Sequence, residues 1–433
     1  MKNKVAVGLS GGVDSAVSAY LLKKQGFDIS GIYLHCFDED APGCRGKQDR
    51  KDAVKVALHL KIPFQVLDFR RQYKSAVIDY FKKEYLFGRT PNPDVVCNRD
   101  IKFGLLLDWC IKNGFDYLAT GHYAKLIRKT RNTRRTRDSE HQKTRESENI
   151  HPALRHSDGL TFRPSEFSEF SEVSLVQPKD LHKDQTYFLW AVPRQKFSRV
   201  LFPLADFTKK DTRSLAKFRE IPVADKPDST GICFVGEVRV EDFLKRLGVK
   251  EKVGEVVTAA GQVVGRHKGV AFYTIGQRHG FEINRWPPSS SRAQSRDPAS
   301  GASDPNIASL DSSIPLRSTR NDEIPPDRPP LYVIAKDLRR NRLVVGFGAE
   351  CYRSQFIVSQ TNWLIHNSEF IIHNSPHVFV RIRHLGSLIP CRITVHRSLF
   401  TVHLREAQRG VAAGQSAVFY LKNGTVLGGG IIQ

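Results

Sequence analysis

Much that would define other classes of protein is missing from this chain of 433 residues. No apolar run approaches the length of a membrane span. The N-terminus passes from Met1-Lys2-Asn3-Lys4 through only Val5 to Leu9 before Ser10 and Asp14 interrupt it, too short a stretch for a signal peptide. The seven cysteines, Cys36, Cys44, Cys97, Cys110, Cys233, Cys351 and Cys391, are odd in number and widely spaced. No two form the C-x-x-C pair of a zinc site, and no disulfide framework is visible. The chain is therefore expected in the cytoplasm, with reduced thiols and no membrane partner. Acidic residues are also in deficit: 45 Asp and Glu face 67 Lys and Arg, a formal charge of +22. Such a surplus favours a polyanionic partner through phosphate neutralisation, with nucleic acid the leading candidate.

What is present begins as an alternation of short apolar runs and helical patterns. Lys4 to Leu9 reads as a buried strand, Asp14 to Lys24 as a helix stopped by Gly26, and Ile29 to Phe37 as the next strand. A helix over Asp49 to Leu60 and a strand over Pro63 to Phe69 follow, and Tyr73 to Phe87, Asn98 to Lys112 and Tyr117 to Leu126 extend the series. This predicts an α/β class with a doubly wound parallel sheet. Arg128 to Glu172 and Trp286 to Pro330 break the pattern, the second with nine prolines and ten serines. Neither composition can offset ordering entropy by burial, so both read as surface insertions or linkers. They hold ten Lys and Arg against eight Asp and Glu, and five against six, so the basicity belongs to the remainder.

After Pro330 short alternating strands predict a small β-barrel: Leu331 to Ile334, Arg342 to Val345, His377 to Arg383, Cys391 to His396, Thr401 to Arg405 and Ala417 to Leu421. In His377 to Arg383, alternation sends Val378, Val380 and Ile382 to one face, suited to a core. Phe379, Arg381 and Arg383 take the other, which suits phosphates.

Gly8-Leu9-Ser10-Gly11-Gly12-Val13-Asp14-Ser15 lies between the first strand and the first helix. Small residues there let backbone N–H groups close around phosphate oxygens at the positive end of a helix. Ser10 and Ser15 add hydroxyl donors, and Asp14 can hold a divalent cation bridging the phosphates. Gly8-x-Ser10-x-Gly12 also satisfies a nucleophile-elbow pattern, but that needs upstream elements for its oxyanion hole and only seven residues precede Gly8. A glycine-rich turn without a ligand is the plainer alternative. The Walker pattern ending in Gly-Lys-Ser/Thr is absent.

Two thiols stand in chemically suggestive surroundings. Thr90-Pro91-Asn92-Pro93-Asp94-Val95-Val96-Cys97-Asn98-Arg99-Asp100-Ile101-Lys102-Phe103-Gly104 is read as placing Cys97 just before a helix, where the dipole and Arg99 or Lys102 would lower its pKa. Asp228-Ser229-Thr230-Gly231-Ile232-Cys233-Phe234-Val235-Gly236-Glu237 sets Cys233 in a glycine-bearing loop. Either alone is more often a small buried hydrophobe.

Ser-Gly-Gly-Val-Asp-Ser resembles the signature of the PP-loop ATP pyrophosphatases. Together with both cysteine segments and with Ala119 to Ala124, Lys183 to Trp190, Tyr273 to Arg278 and Gly414 to Tyr420, it resembles the tRNA-specific 2-thiouridylases over nearly all but the two low-complexity stretches. The resemblance implies ATP and Mg²⁺ as cofactors, tRNA as partner, and a cytosolic sulfur donor, either a cysteine desulfurase or a sulfur relay protein. It implies that Cys233 carries a persulfide, that Cys97 is its partner nucleophile, and that Asp94 moves a proton beside the target base. Gly8, Leu9, Ser10, Gly11, Gly12, Val13, Asp14 and Ser15, with Leu34 and Gly121, would hold ATP, and Asp14 the metal. Asn92, Pro93 and Asp94 would meet an extruded uridine, whose C2 is out of reach while stacked. His122, Lys183, Asp184, Gln185, Arg383, His384 and Gln415 would touch tRNA. The expected organisation is a nucleotide-binding catalytic domain over 1–236, a small central domain over 237–285, a linker or insertion over 286–330, and a tRNA-binding barrel over 331–433.

Overall fold

The computed structural model describes residues 2–38, 45–130, 170–228, 238–285, 329–365, 378–396 and 399–433. Most of both low-complexity stretches, together with Cys44 and Cys233, lies outside the described residues. The chain opens with β1 (Lys4–Gly8), β2 (Asp28–His35), β3 (Phe64–Asp68) and β4 (Tyr117–Ala119), continues through β5 (Lys125–Thr130) and β6 (Phe170–Val176), and reaches β7 (Val200–Leu201). Five of these form a parallel sheet in the order β3-β2-β1-β4-β7.

Period-two alternation divides the core. Val5, Val7 and Ile29 pack under the helices Val13–Lys24, Gly46–His59 and Lys209–Phe218, while Ala6, Ile32 and Leu34 face helical stretches over 70–86 and 93–112. Strand order reverses between β1 and β4, so the loop after β1 opens at the carboxyl end of the sheet at its switch point, where open α/β sheets bind ligands. Both helical stretches on the second face contain π-type turns, Lys74–Ile78 and Cys97–Leu106, a rare form that is frequent at functional sites.

The run expected over Tyr117 to Leu126 is two strands, not one. β4 stays in the sheet, Gly121 to Ala124 leaves it, and β5 pairs antiparallel with β6. The first low-complexity stretch thus departs from the last rung of a two-stranded ladder, where Thr130 is paired with Phe170.

The central sheet contains β8 (Gly254–Thr258), β9 (Val263–His267), β10 (Glu282–Ile283), β11 (Tyr332–Asp337) and β12 (Arg342–Gly346), in the order β10-β9-β8-β12-β11. The boundary expected at 331 therefore moves: β11 and β12 belong to the central domain, because β12 pairs in parallel with β8. The barrel starts at β13 (Tyr352–Trp363) and adds β14 (Val378–Arg381), β15 (Ile389–His396), β16 (Leu399–Arg409), β17 (Ser416–Leu421) and β18 (Val426–Ile432), closed as β13-β16-β15-β14-β17-β18. β13 and β18 lie outside the strands that the alternation predicts. Glycines mask β18, and they are there for closeness: a Cβ on Gly429 would sit 2.8 Å from the Trp190 ring of the first domain.

Candidate active site

The loop after β1 is built from backbone. Gly11 has a left-handed φ of +76°, and a Cβ there would lie 2.1 Å from the carbonyl oxygen of Asp49. Gly121, after β4, closes the other side; its Cβ would fall 2.7 Å from the Ser15 nitrogen. Inside this frame the Ser10 amide donates to Ser15 Oγ at 3.1 Å, and Ser15 Oγ donates to the Gly12 carbonyl at 3.1 Å. Gly12 caps the Val13–Lys24 helix without any side-chain hydrogen bond, so the first-turn amides remain available to an anion. Leu9 and Val13 are buried, and the Leu34 side chain belongs to the core, so these residues shape the cradle without presenting polar groups. A triphosphate fits such a donor set.

Asp14 is the acid at this end, and its oxygens are engaged. Lys209 Nζ donates to both, at 2.7 and 2.8 Å, and the Tyr123 hydroxyl donates to Oδ1 at 3.0 Å. Lys209 also reaches Asp228 Oδ1 at 2.9 Å, and Asp228 is held in turn by Lys183 at 2.8 Å and by Arg213. Burial alone would raise the Asp228 pKa, but hydrogen bonds from Lys183 and Lys209 outweigh it and hold the carboxyl far below its usual range. Lys226 fastens the same segment to the loop by donating to the Gly11 carbonyl at 2.9 Å, Asp49 at 2.7 Å and Asp52 at 2.6 Å. Among the described residues no cluster of three His, Cys, Asp or Glu converges on a metal position. A divalent cation would thus be held by Asp14 together with the nucleotide's own phosphates.

Cys97 is not placed just before a helix. Pro93 opens the helical stretch, Asn92 caps it by accepting from the Val95 amide at 3.4 Å, and Cys97 lies one turn inside, at the start of the π-type turn. Its side chain is 0% exposed, in the same core cluster as Ala6 of β1 and Leu34 of β2. Pro occupies the position where its missing N–H is harmless, which explains the earlier start. Asn92, Pro93 and Asp94 are half-buried at the rim. Cys110, by contrast, is an inert core thiol, pushed up to about 12 by burial.

The family models named for a tRNA methyl transferase HUP domain, PRC-barrel domain and aminomethyltransferase β-barrel domain match residues 3–147 with 161–237, 241–293 and 353–432. The chain is 35% identical over 437 residues to a tRNA-specific 2-thiouridylase of Syntrophus aciditrophicus, covering 100% of this chain and 93% of that one. Those of Idiomarina loihiensis (33%, 99% and 96% covered) and Lactobacillus helveticus (34%, 100% and 96%) are matched as fully. The chain belongs to the tRNA-specific 2-thiouridylase family.

The segment Lys183 to Trp190, of which Lys183, Asp184 and Gln185 are expected to touch tRNA, is largely a wedge into the barrel. Asp184 is 0% exposed; it pairs with Arg381 of β14 at 2.7 Å and accepts from Gln177 and from the amide and hydroxyl of Thr186. The Tyr187 hydroxyl donates to the Ser416 carbonyl at 3.0 Å, and Trp190 Nε1 to Ser416 Oγ at 3.0 Å. Of the face over His377 to Arg383 expected to suit phosphates, only Arg383, past the end of β14, keeps an exposed cation. Arg381 is consumed in the ion pair and lies over the Tyr420 ring, whereas Arg383 is exposed, donating to the Arg409 carbonyl at 2.6 Å. His384 follows, its ring 4.4 Å from Phe188 and its Nε2 at 3.0 Å from the Asp184 carbonyl.

His122 is likewise interior. Its ring lies between Phe103 and Phe202, Nδ1 meets Thr120 Oγ1 at 2.8 Å, and burial, then Lys102, drive its pKa well below 6.5. Gln185 accepts from the Tyr123 amide at 2.9 Å, and Lys183 is committed to Asp228. Gln415 stands in the barrel turn that seats on the first domain, where Gly414 abuts Thr90 and the Thr90 amide donates to the Ala413 carbonyl at 2.8 Å. The barrel thereby touches the chain two residues before Asn92.

Sequence reasoning misses Lys209, Tyr123, Lys226 and Asp228, and misses that Arg381 serves a buried ion pair. One of them carried a signal. Lys209 and Lys210 open a helix that Thr208 and Asp211 cap reciprocally, and cations at that end oppose the helix dipole, so they serve something other than the helix. The others are recognisable only by partners far away in the chain.

Proposed function

We propose that the protein exchanges the C2 oxygen of the wobble uridine of tRNA for sulfur to give 2-thiouridine, in the cytoplasm, with ATP and Mg²⁺. The observation that carries this reading is the uncapped, glycine-walled cradle at the switch point, with an acid at its mouth and the helix start bearing Asn92, Asp94 and Cys97 on the adjoining face of the sheet. Bound ATP supplies the activation: the uridine oxygen, a poor leaving group, attacks the α-phosphorus and becomes an adenylate as pyrophosphate departs. Amides of the loop and helix N-terminus, with Ser10 and Ser15, hold the phosphate charge that develops. Asn92 and Pro93 seat the extruded base, and Asp94 moves the proton at its edge.

A persulfide sulfur on Cys233 bonds to C2 while the bond from C2 to the adenylated oxygen breaks, releasing AMP. Cys97 completes the release of that sulfur by attacking Cys233. The product is a Cys97 to Cys233 disulfide, which a thiol reductant must return to two thiols with two electrons. Because Cys97 is fully buried, this step requires the helix start to open. The barrel and the exposed Arg383, just past β14, offer cations to the tRNA backbone.

The test is mass spectrometry of tRNA incubated with protein, ATP, Mg²⁺ and a persulfide donor. One uridine should gain the mass of an oxygen-to-sulfur exchange, and Cys97→Ser, Cys233→Ser and the double variant should each abolish it to a similar extent, because residues acting as a unit are not additive. Full activity in either single variant would overturn the assignment.

A further inference from the structure

Lys183, Asp184 and Gln185 point to three different partners. Asp184 is tied to the barrel through Arg381, Gln185 to the backbone of Tyr123, and Lys183 to Asp228. From Asp228 the next link is Lys209, which already lies within hydrogen-bond distance of two carboxylates, 2.9 Å from Asp228 and 2.7 Å from Asp14. Accessibility differs along the row. The Lys183 side chain is 41% exposed, whereas that of Lys209 is 13% exposed.

We propose that Lys183, Asp228 and Lys209 report RNA binding to the phosphate loop by redistributing cations. The proposal rests on the preceding reading that the protein binds both tRNA and ATP. A phosphate of bound RNA draws the Lys183 ammonium away from Asp228. Asp228, left with Arg213 and Lys209, holds Lys209 more closely, and Asp14 is released to face a nucleotide and its divalent cation. Lys209 needs no backbone movement for this, since it touches both acids from the outset. Asp228 starts ionised: burial would raise its pKa, but with Lys183 and Lys209 both hydrogen-bonded to it the carboxyl is held far below its usual range. Tyr123 is the fixed point: its hydroxyl stays on Asp14 Oδ1, and Gln185 holds its amide, so the freed oxygen keeps facing the loop. Lys183, Asp228 and Lys209 are positioning residues in this scheme, and by linkage the nucleotide must strengthen RNA binding by the same factor.

Calorimetric titration of the full chain with an ATP analogue uncleavable between its α and β phosphates, in Mg²⁺, with and without saturating unmodified tRNA transcript, reads the coupling directly. The wild type is expected to bind the analogue at least about fivefold more tightly with tRNA. Lys183→Met should bind it about that much more tightly without tRNA and cease to respond to tRNA, imitating the RNA-bound arrangement. Asp228→Asn should bring the response to within about twofold of none. A wild type that binds both ligands independently, or a folded Lys183→Met that behaves as wild type, would overturn the relay. Lys183→Met alters an exposed side chain and keeps the test decisive if Asp228→Asn fails to fold. A wild type that binds neither ligand would instead defeat the functional reading beneath it.

Discussion

The loop over Gly8 to Ser15 and the segment over Lys183 to Trp190 both hold residues expected to face ligands, the whole loop in the first and Lys183, Asp184 and Gln185 in the second. In the fold they are opposites. The loop leaves its helix-end amides uncapped by any side chain and uses Gly11 and Gly121 to bring backbones close around an open cradle. The segment inserts Asp184, Thr186, Tyr187 and Trp190 into a second domain, where their polar atoms find partners in Arg381, Tyr420 and Ser416. Polar groups in a motif thus face either a ligand or another domain, and the difference is whether the fold has already satisfied them.

Substitutions should separate the two regions by what they damage. The largest effect is expected at the loop: Asp14→Ala should lower tRNA-dependent pyrophosphate release by about a thousandfold or more while the melting temperature moves by only a few degrees. Continued pyrophosphate release by the folded variant would remove Asp14 from the phosphate site.

The wedge should respond in stability instead. Arg381→Met strands a fully buried carboxylate and is expected to cost about 3–5 kcal/mol in urea unfolding, most of it recovered when Asp184→Leu is added. A loss below about 1 kcal/mol would show that the domains are not held by this pair.

How much of this was readable in advance follows from the distance between partners. The cradle was legible because its parts are consecutive and its strand-loop-helix context is local. The helix carrying Cys97 begins earlier than the expected Asn98 because Asn92 and Pro93 form a start signal upstream of the thiol. The burial of Asp184 was invisible because its counter-charge, Arg381, stands 197 residues away. β18 was missed because Gly428, Gly429 and Gly430 carry the sequence signature of a turn, although their bareness admits Trp190 and Val358. Lys209 carried a local signal that had gone unused, a cation at a helix start.

A smaller effect concerns His122, which lies between the two regions. Its folded pKa is depressed, so the unfolded chain takes up its proton first. The associated stability is complete above about pH 6.5 and declines as pH falls through that value, with a slope of up to about 1.4 kcal/mol per pH unit. Urea unfolding at about pH 7.5 and about pH 5.5 should show the loss in the wild type and a shallower one in His122→Phe. An identical dependence in both would assign the slope to other groups. The smallest change is expected from Cys110→Ala: unaltered 2-thiouridine formation and a stability cost of about 1 kcal/mol, since its thiol is held protonated in the core. A folded but inactive Cys110→Ala would return that thiol to the chemistry.

The hairpin of β5 and β6 has a practical use. Its last rung pairs Thr130 with Phe170, so the two chain ends it presents are neighbours in one ladder, and closure entropy rises only slowly with the length of what joins them. That makes the rung a socket. A small folded reporter whose own termini lie side by side can be spliced between these two residues, giving a tagged protein whose insert enters and leaves through one rung.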